Sequence, residues 1–436
     1  MSVEKHQGYT EEIPSKEFTA KVIRMDDTGE RAVLIVDHTG LPCDLPSRYL
    51  LGKRDVRATR TVLNLGKNIC QLHRWADESG FDLNERIRTG HILGITDIDS
   101  LVKYLALNRR QVAKQKNSLG NISVFAGYVS GAMLSQKIDA VTDYFNWLGK
   151  LAIEGRLITD PYYSAIGPAI DDLNDQLDAR KVKSNSKPRI GLTESEQQYL
   201  LEVSHPAYPE TPFALRTRVR NHLLIKLLLL CGIRLGELLA LKVESCKLAG
   251  DEPYLYFGHN ITKEKDPRSL PPDAKTLGRK IYITRELSKE IDSYIMNERK
   301  ARGREARKVA SYVFLNTNVR PAPMTEGAIY HLISQLREKF PDKLSDLHPH
   351  RLRHTFNDNL VLTFADSMPE EEFLKLQRWL NGWSDDSVEG RTYTYRSQEI
   401  RVQQCLKVVQ DNITNGVYRQ VDATNLDDQY EEDIDW

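Results

Sequence analysis

Apolar positions recur at helical spacing through the first half of the chain. Val62, Leu65, Ile69, Leu72 and Ala76 fall three or four residues apart and predict one buried helix face. Ile138, Val141, Phe145 and Leu148 predict another, ending near Gly155 and Pro161. Between them, Thr96 and Asp97 offer N-cap side chains ahead of Leu101, Val102 and Leu105. Residues 55–178 are therefore expected to form a helical bundle. Residues 1–54 differ. Residues 32–36 are an apolar run that closes on His38-Thr39-Gly40, a strand with its turn, and Pro42 and Pro46 exclude a long helix. A β-rich appendage is expected there, either packed on the helices or serving as an arm.

The second half opens after a polar, basic stretch, residues 179–190, that reads as an interdomain linker. Thr193-Glu194-Ser195-Glu196 then has capping-box spacing and starts a helix. Residues 223–231 are apolar except for Lys226 and predict a buried helix. Tyr254-Leu255-Tyr256-Phe257 and Lys280-Ile281-Tyr282-Ile283 predict strands, and helices are expected over 284–300, 325–340, 352–365 and 370–380. Residues 191–412 thus read as a mostly helical domain with one small sheet. Residues 413–436 form an acidic tail with too few apolar positions for a core.

Charge changes this picture. The 61 basic and 61 acidic residues balance, which by itself argues against a nucleic-acid binder. However, residues 421–436 are acidic without a single base, so the rest of the chain carries a positive surplus. The bases also cluster: Arg109, Arg110, Lys114 and Lys116 in one stretch, and Arg180, Lys181, Lys183 and Lys187 in the linker. A third cluster runs through residues 299–308. Such clusters suit a DNA backbone, whose binding is driven by counterion release; solvated helix faces are the plainer reading. Cys43, Cys70, Cys231, Cys246 and Cys405 are odd in number and scattered, which points to a reducing compartment without disulfides or a zinc ribbon. No membrane-length apolar run and no signal pattern occur, so a cytoplasmic protein without a membrane partner is expected.

The densest chemistry is at residues 348–354, where three histidines and two arginines share seven positions. An isolated arginine stands in Gly232-Ile233-Arg234-Leu235-Gly236-Glu237-Leu238, and Tyr393 and Tyr395 follow downstream. Arginine forks match pairs of phosphate oxygens. An imidazole trades protons near neutral pH, and a phenol can attack covalently. Taken singly, each residue has a duller role as a helix-end cation, a packed ring or a core histidine.

These boxes resemble the tyrosine recombinase (phage integrase) family. Gly232-Ile233-Arg234 with its acid and leucines is similar to the first box, and His350-Arg351-Leu352-Arg353-His354 fills every fixed position of the second. Gly382-Trp383-Ser384 followed by Tyr393 is similar to the third, and Lys275-Thr276-Leu277-Gly278-Arg279-Lys280 to the lysine hairpin between the first two. The resemblance spans residues 55–412 with the boxes in family order. Two departures stand out. Trp383 and Tyr393 are ten apart rather than nine, and Asn381 interrupts the expected Leu-Gly, which reads as a local shift.

The resemblance implies a mainly α fold with a small β-sheet: a helical SAM-like core-binding domain and an α+β catalytic domain that together clamp DNA. It implies transesterification through a 3′-phosphotyrosine without metal, ATP or other cofactor. Arg234 and Arg353 would clamp the phosphate, and His350 would accept or donate a proton. Lys275, with Lys263, Lys265 and Lys280 as rivals, would be the general acid. Trp383 and His354 would support the pocket, and Glu237 would orient the cations. Tyr393 is favoured over Tyr395 as nucleophile because Tyr393-Thr394-Tyr395-Arg396 is similar to the family's run there. The implied protein is an integrase of a mobile element or phage, a bacterial nucleoid-associated homotetramer acting on two duplexes, with room for a directionality factor. Two alternatives stay open: a resolvase or type IB topoisomerase-like enzyme of the same chemistry, and a catalytically idle architectural DNA-binding protein.

Overall fold

A computed structural model describes residues 18–108, 127–182, 190–258, 266–272, 277–299, 311–317, 321–364 and 367–384, with 406 and 410. The chain forms two compact units, the first within residues 1–186 and the second within 187–436.

In the first unit, β1 (Thr19–Arg24) and β2 (Arg31–Val36) pair antiparallel, Thr19 opposite Val36 and Arg24 opposite Arg31. β2 is the apolar run seen in the sequence. β1 has no such run and becomes a strand by pairing with it. The hairpin lies on α1 (Asp44–Gly52) and α2 (Thr59–Glu78). Pro46 is tolerated because it sits in the first turn of α1, where its missing N–H has no helical acceptor. Gly66 permits the close approach: a Cβ there would meet Leu50 Cδ1 at 3.0 Å and the Ala20 Cβ at 3.1 Å.

The bundle continues with α3 (Leu83–Thr89), α4 (Ile95–Ala106), α5 (Gly131–Ile153) and α6 (Pro161–Asp178). The expected stripe Ile138, Val141, Phe145 and Leu148 is buried, and α5 packs on α2 and α6. α4 starts earlier than the sequence suggested. Gly94 is its N-cap, and the Asp97 carboxylate reaches back to accept the Gly94 N–H at 3.1 Å.

The second unit opens with α7 (Glu194–Ser204), capped by Thr193 with Glu196 in a capping box. α8 (Arg218–Cys231) is buried along most of its length and stops at Gly232, which is left-handed with φ +58°. A Cβ on Gly232 would lie 2.1 Å from the Phe356 ring, so both the backbone and the neighbour require glycine here. α9 (Leu235–Ala240) follows, then a three-stranded antiparallel sheet of β3 (Cys246–Lys247), β4 (Tyr254–Phe257) and β5 (Arg279–Tyr282), with Leu255 opposite Ile281. The remaining helices are α10 (Arg285–Tyr294), α11 (Glu326–Lys339), α12 (Pro341–Leu344), α13 (Pro349–Phe364) and α14 (Glu370–Asn381). Leu224, Leu228, Ile233, Leu255, Ile281, Leu332 and Leu352 belong to one continuous core. α13 packs on α8, and α14 on β5. The chain is thus mainly α with small sheets, as the sequence led us to expect. Among the described residues, no helix is long and apolar enough to cross a membrane.

Candidate active site

α13 begins three residues before the predicted start, which puts His350, Arg353 and His354 on a single helix. His350 is exposed, while Arg353 and His354 are buried; the two imidazoles lie 4.5 Å apart, edge to face. Arg353 is only 1% exposed. Its Nη1 donates to the Gly232 carbonyl at 2.6 Å and its Nη2 to the Asn381 carbonyl at 3.1 Å. Arg234, the N-cap of α9, sends its Nη1 to the same Asn381 carbonyl at 3.2 Å. Two guanidiniums from different helices therefore converge on one oxygen at the end of α14, where helix carbonyls lack intrahelical donors.

Asn381 holds that oxygen in place. Its amide donates to Asn357 Oδ1 at 2.7 Å and to the Gln377 carbonyl at 2.9 Å, and Asn357 donates back at 3.1 Å. Gly382 then turns left-handed at φ +63° and leads to the buried Trp383, whose ring centroid is 5.8 Å from the Arg353 guanidinium carbon. The residue that read as a local shift is in fact where the two arginines meet.

Glu237 forms the other side of the site. One of its oxygens accepts the Arg234 backbone N–H at 2.8 Å, and the carboxylate takes both Arg279 Nη atoms at 2.7 and 3.0 Å. Arg279 Nε donates to the Leu380 carbonyl at 2.7 Å, one residue before Asn381. Both side chains of this pair are 1% exposed. The first box, the hairpin strand β5 and the end of α14 are thereby joined by one buried ion pair.

The structure brings Arg234, Glu237, Arg353 and Trp383 together, with His350 and His354 on the same helix as Arg353. Lys275, Tyr393 and Tyr395 lie outside the described residues, as do Arg109, Arg110, Lys114, Lys116, Lys183 and Lys187. Arg180 and Lys181 follow directly on α6 and pair within their own unit, Arg180 with Asp99 at 2.8 Å and Lys181 with Asp139 at 2.6 Å and with Asp178. Among the described residues, no three His, Cys, Asp or Glu side chains converge as metal ligands. Sequence reasoning missed Arg279 and Asn357. For Arg279 a signal was present, because strand alternation places it on the same buried face as Ile281, opposite to Lys280.

The phage integrase family matches residues 192–396. The chain is 28% identical over 183 residues to the tyrosine recombinase XerC of Bacillus licheniformis, covering 42% of this chain and 52% of that one. It is 30% identical over 158 residues to XerC of Bacillus pumilus, covering 36% and 45%. The chain thus spans about half the length of these curated relatives. Among solved structures, the XerH site-specific recombinase bound to palindromic difH substrate matches at 17% identity and TM-score 0.46, over 84% of this chain and 95% of that one. The domain at residues 192–396 is therefore one of the phage integrase family.

Proposed function

We propose that this protein is a site-specific tyrosine recombinase, the integrase of a mobile element or phage, that cuts and rejoins double-stranded DNA. The observation that carries this reading is the convergence of Arg234 and Arg353 on the Asn381 carbonyl. It fixes two planar forks side by side, as an electrostatic cradle for a phosphate requires. The Tyr393 oxygen attacks phosphorus and the bond to the 5′-oxygen breaks. His350 takes the phenol proton, and Lys275 protonates the departing oxygen. A 3′-phosphotyrosine conserves the bond, so a second 5′-hydroxyl reverses the step onto a new partner. His354 and Trp383 shape the pocket around Arg353. The relatives named tyrosine recombinases support this chemistry, and a tetramer on two duplexes is the assembly in which strands can be exchanged.

The test is incubation with element-end DNA nicked beside the scissile phosphate, followed by denaturing electrophoresis. Wild type should leave a covalent adduct that Tyr393→Phe abolishes and Tyr395→Phe retains. Loss in Tyr395→Phe alone reassigns the nucleophile. Tight binding without an adduct would favour the architectural reading, which the ten-residue interval from Trp383 to Tyr393 supports.

A further inference from the structure

The sheet β3–β5 buries one face and turns the other outward. Leu255, Phe257, Arg279 and Ile281 are buried, and strand alternation places Tyr254, Tyr256, Lys280 and Tyr282 on the opposite face. Tyr256 stands opposite Lys280, and Tyr254 opposite Tyr282. Tyr256 is 39% exposed and Tyr282 57%. The Tyr254 ring is the centre of the group. Lys280 Nζ lies 4.7 Å from its centroid, Lys247 Nζ 5.8 Å, and the Tyr282 ring 6.0 Å, edge to face. Glycines keep the place of the Tyr256 ring clear: a Cβ on Gly258 or on Gly278 would meet its hydroxyl at 2.8 Å.

Tyr254, Tyr256, Lys242, Lys247 and Lys280 line a cleft of about 370 Å³ whose wall includes Glu237. Some of its charges are already met. Lys242 pairs with Glu244 at 3.7 Å, and Glu237 with Arg279 at 2.7 Å. Among the described residues, no carboxylate pairs with Lys247 or Lys280, so the cleft is left positive. Half-open tyrosines beside such ammonium groups add little to stability, because the rings are incompletely buried and surface charge contributes little. They suit a nucleotide instead. A ring takes the flat face of a base, and an ammonium takes its phosphate. Duplex DNA offers only the phosphate, because its bases are stacked on one another. The cleft also adjoins the arginine cradle, since Glu237 is the residue that holds the Arg234 N–H.

We propose that the outer face of β3–β5 binds unpaired DNA nucleotides next to the phosphate being cut. This rests on the recombinase reading above. Once the P–O5′ bond breaks, the strand with the free 5′-hydroxyl must part from its complement before it can join a new partner. Its first nucleotides are then unpaired, and they start at the arginine cradle. Tyr256 and Tyr282 take their bases, and Lys247 and Lys280 take their phosphates.

The experiment measures binding of the full chain to a fluorescent single-stranded oligonucleotide of element-end sequence and to its duplex. The proteins compared are wild type, Tyr256→Leu, Tyr282→Leu and Lys247→Ala. Each tyrosine variant should weaken single-strand binding about five-fold or more, the loss of one stacked base, and leave duplex binding unchanged. Lys247→Ala should lower the slope of log affinity against log salt by about 0.7 on the single strand. Equal weakening on strand and duplex would assign the face to the duplex backbone, and no change on either would leave it without DNA. Both outcomes overturn the inference. The same preparations are tested for a covalent adduct on the nicked duplex. A wild-type adduct keeps the recombinase reading standing even where the inference fails, whereas no wild-type adduct overturns both.

Discussion

The two units bury very different side chains. In the first, the described core is apolar and aromatic, with Arg31, Ser47 and Lys137 as its buried polar members. Its ion pairs, such as Lys53–Asp143, Arg156–Asp160 and Arg180–Asp99, lie at the surface. The second unit has an equally apolar core, yet also buries Glu237, Asp266, Arg268, Arg279, Arg353, His354, Asn357 and Asn381. Apolar burial suffices to make either unit stable. Internal charge is a poor source of stability, because desolvation offsets most of the attraction. Charges collect where the ends of α8, α9 and α14 and the strand β5 must meet in a fixed geometry. The first unit is organised for stability, and the second also for placement.

The most direct way to break this comparison is Glu237→Gln. It leaves the Arg279 charge buried opposite a neutral amide and should cost about 3–5 kcal/mol in urea unfolding. The double variant Glu237→Gln/Arg279→Met removes both charges, so stability should largely return. Adduct formation should not return, because the Leu380 carbonyl beside Asn381 has lost the Arg279 donor that locked it. A double variant that regains full activity would show that the pair serves stability alone.

How much of this could be read from the sequence follows the same division. Ile69, Leu72, Ile138, Val141 and Phe145 sit on the faces that periodicity gave them, because apolar burial depends on local spacing. Leu65 is only half-buried and Leu63 takes its place, since the hairpin widens the covered face of α2. Arg234 and Arg353 were legible because their boxes are local strings. Their surroundings were not: Asn381 read as a local shift, and strand alternation marked Arg279 as buried without marking the Glu237 it meets. Glu237 and Arg279 are 42 residues apart, and Arg353 reaches Gly232 across 121. Only the fold brings such residues together, and a single sequence carries no periodic trace of that meeting.

A smaller effect sharpens the comparison through pH. His222 is buried in α8 against Ser204, its Nδ1 3.0 Å from the hydroxyl, with His205, Lys226 and Glu290 nearby. Burial, helped by the Lys226 and His205 charges, holds its pKa down to about 4. An unfolded histidine titrates near 6.5, so between pH 6.5 and 4 the unfolded chain binds the extra proton. Stability from this group is therefore complete above pH 6.5 and falls as pH drops, by up to about 3 kcal/mol. His222→Asn should flatten the pH dependence of unfolding over that window while leaving adduct formation at pH 7.5 unchanged. An unaltered slope would remove His222 from the account.

The smallest expected effect tests the surface side of the comparison. Arg180 and Lys181 join α6 to Asp99 on α4 and Asp139 on α5, with side chains 25% and 30% exposed. Pairs of this kind contribute about 0–1 kcal/mol, so a phosphate can replace the carboxylate at little cost. Arg180→Ala and Lys181→Ala should therefore leave unfolding within about 1 kcal/mol of wild type. If the linker cations lie along DNA, each substitution should also lower the slope of log affinity against log salt by about one unit. An unchanged slope with a measurable loss of stability would instead assign both residues to holding the end of α6 against its bundle. The basic string at residues 180–187 would then be, at its start, a structural seam of the first unit.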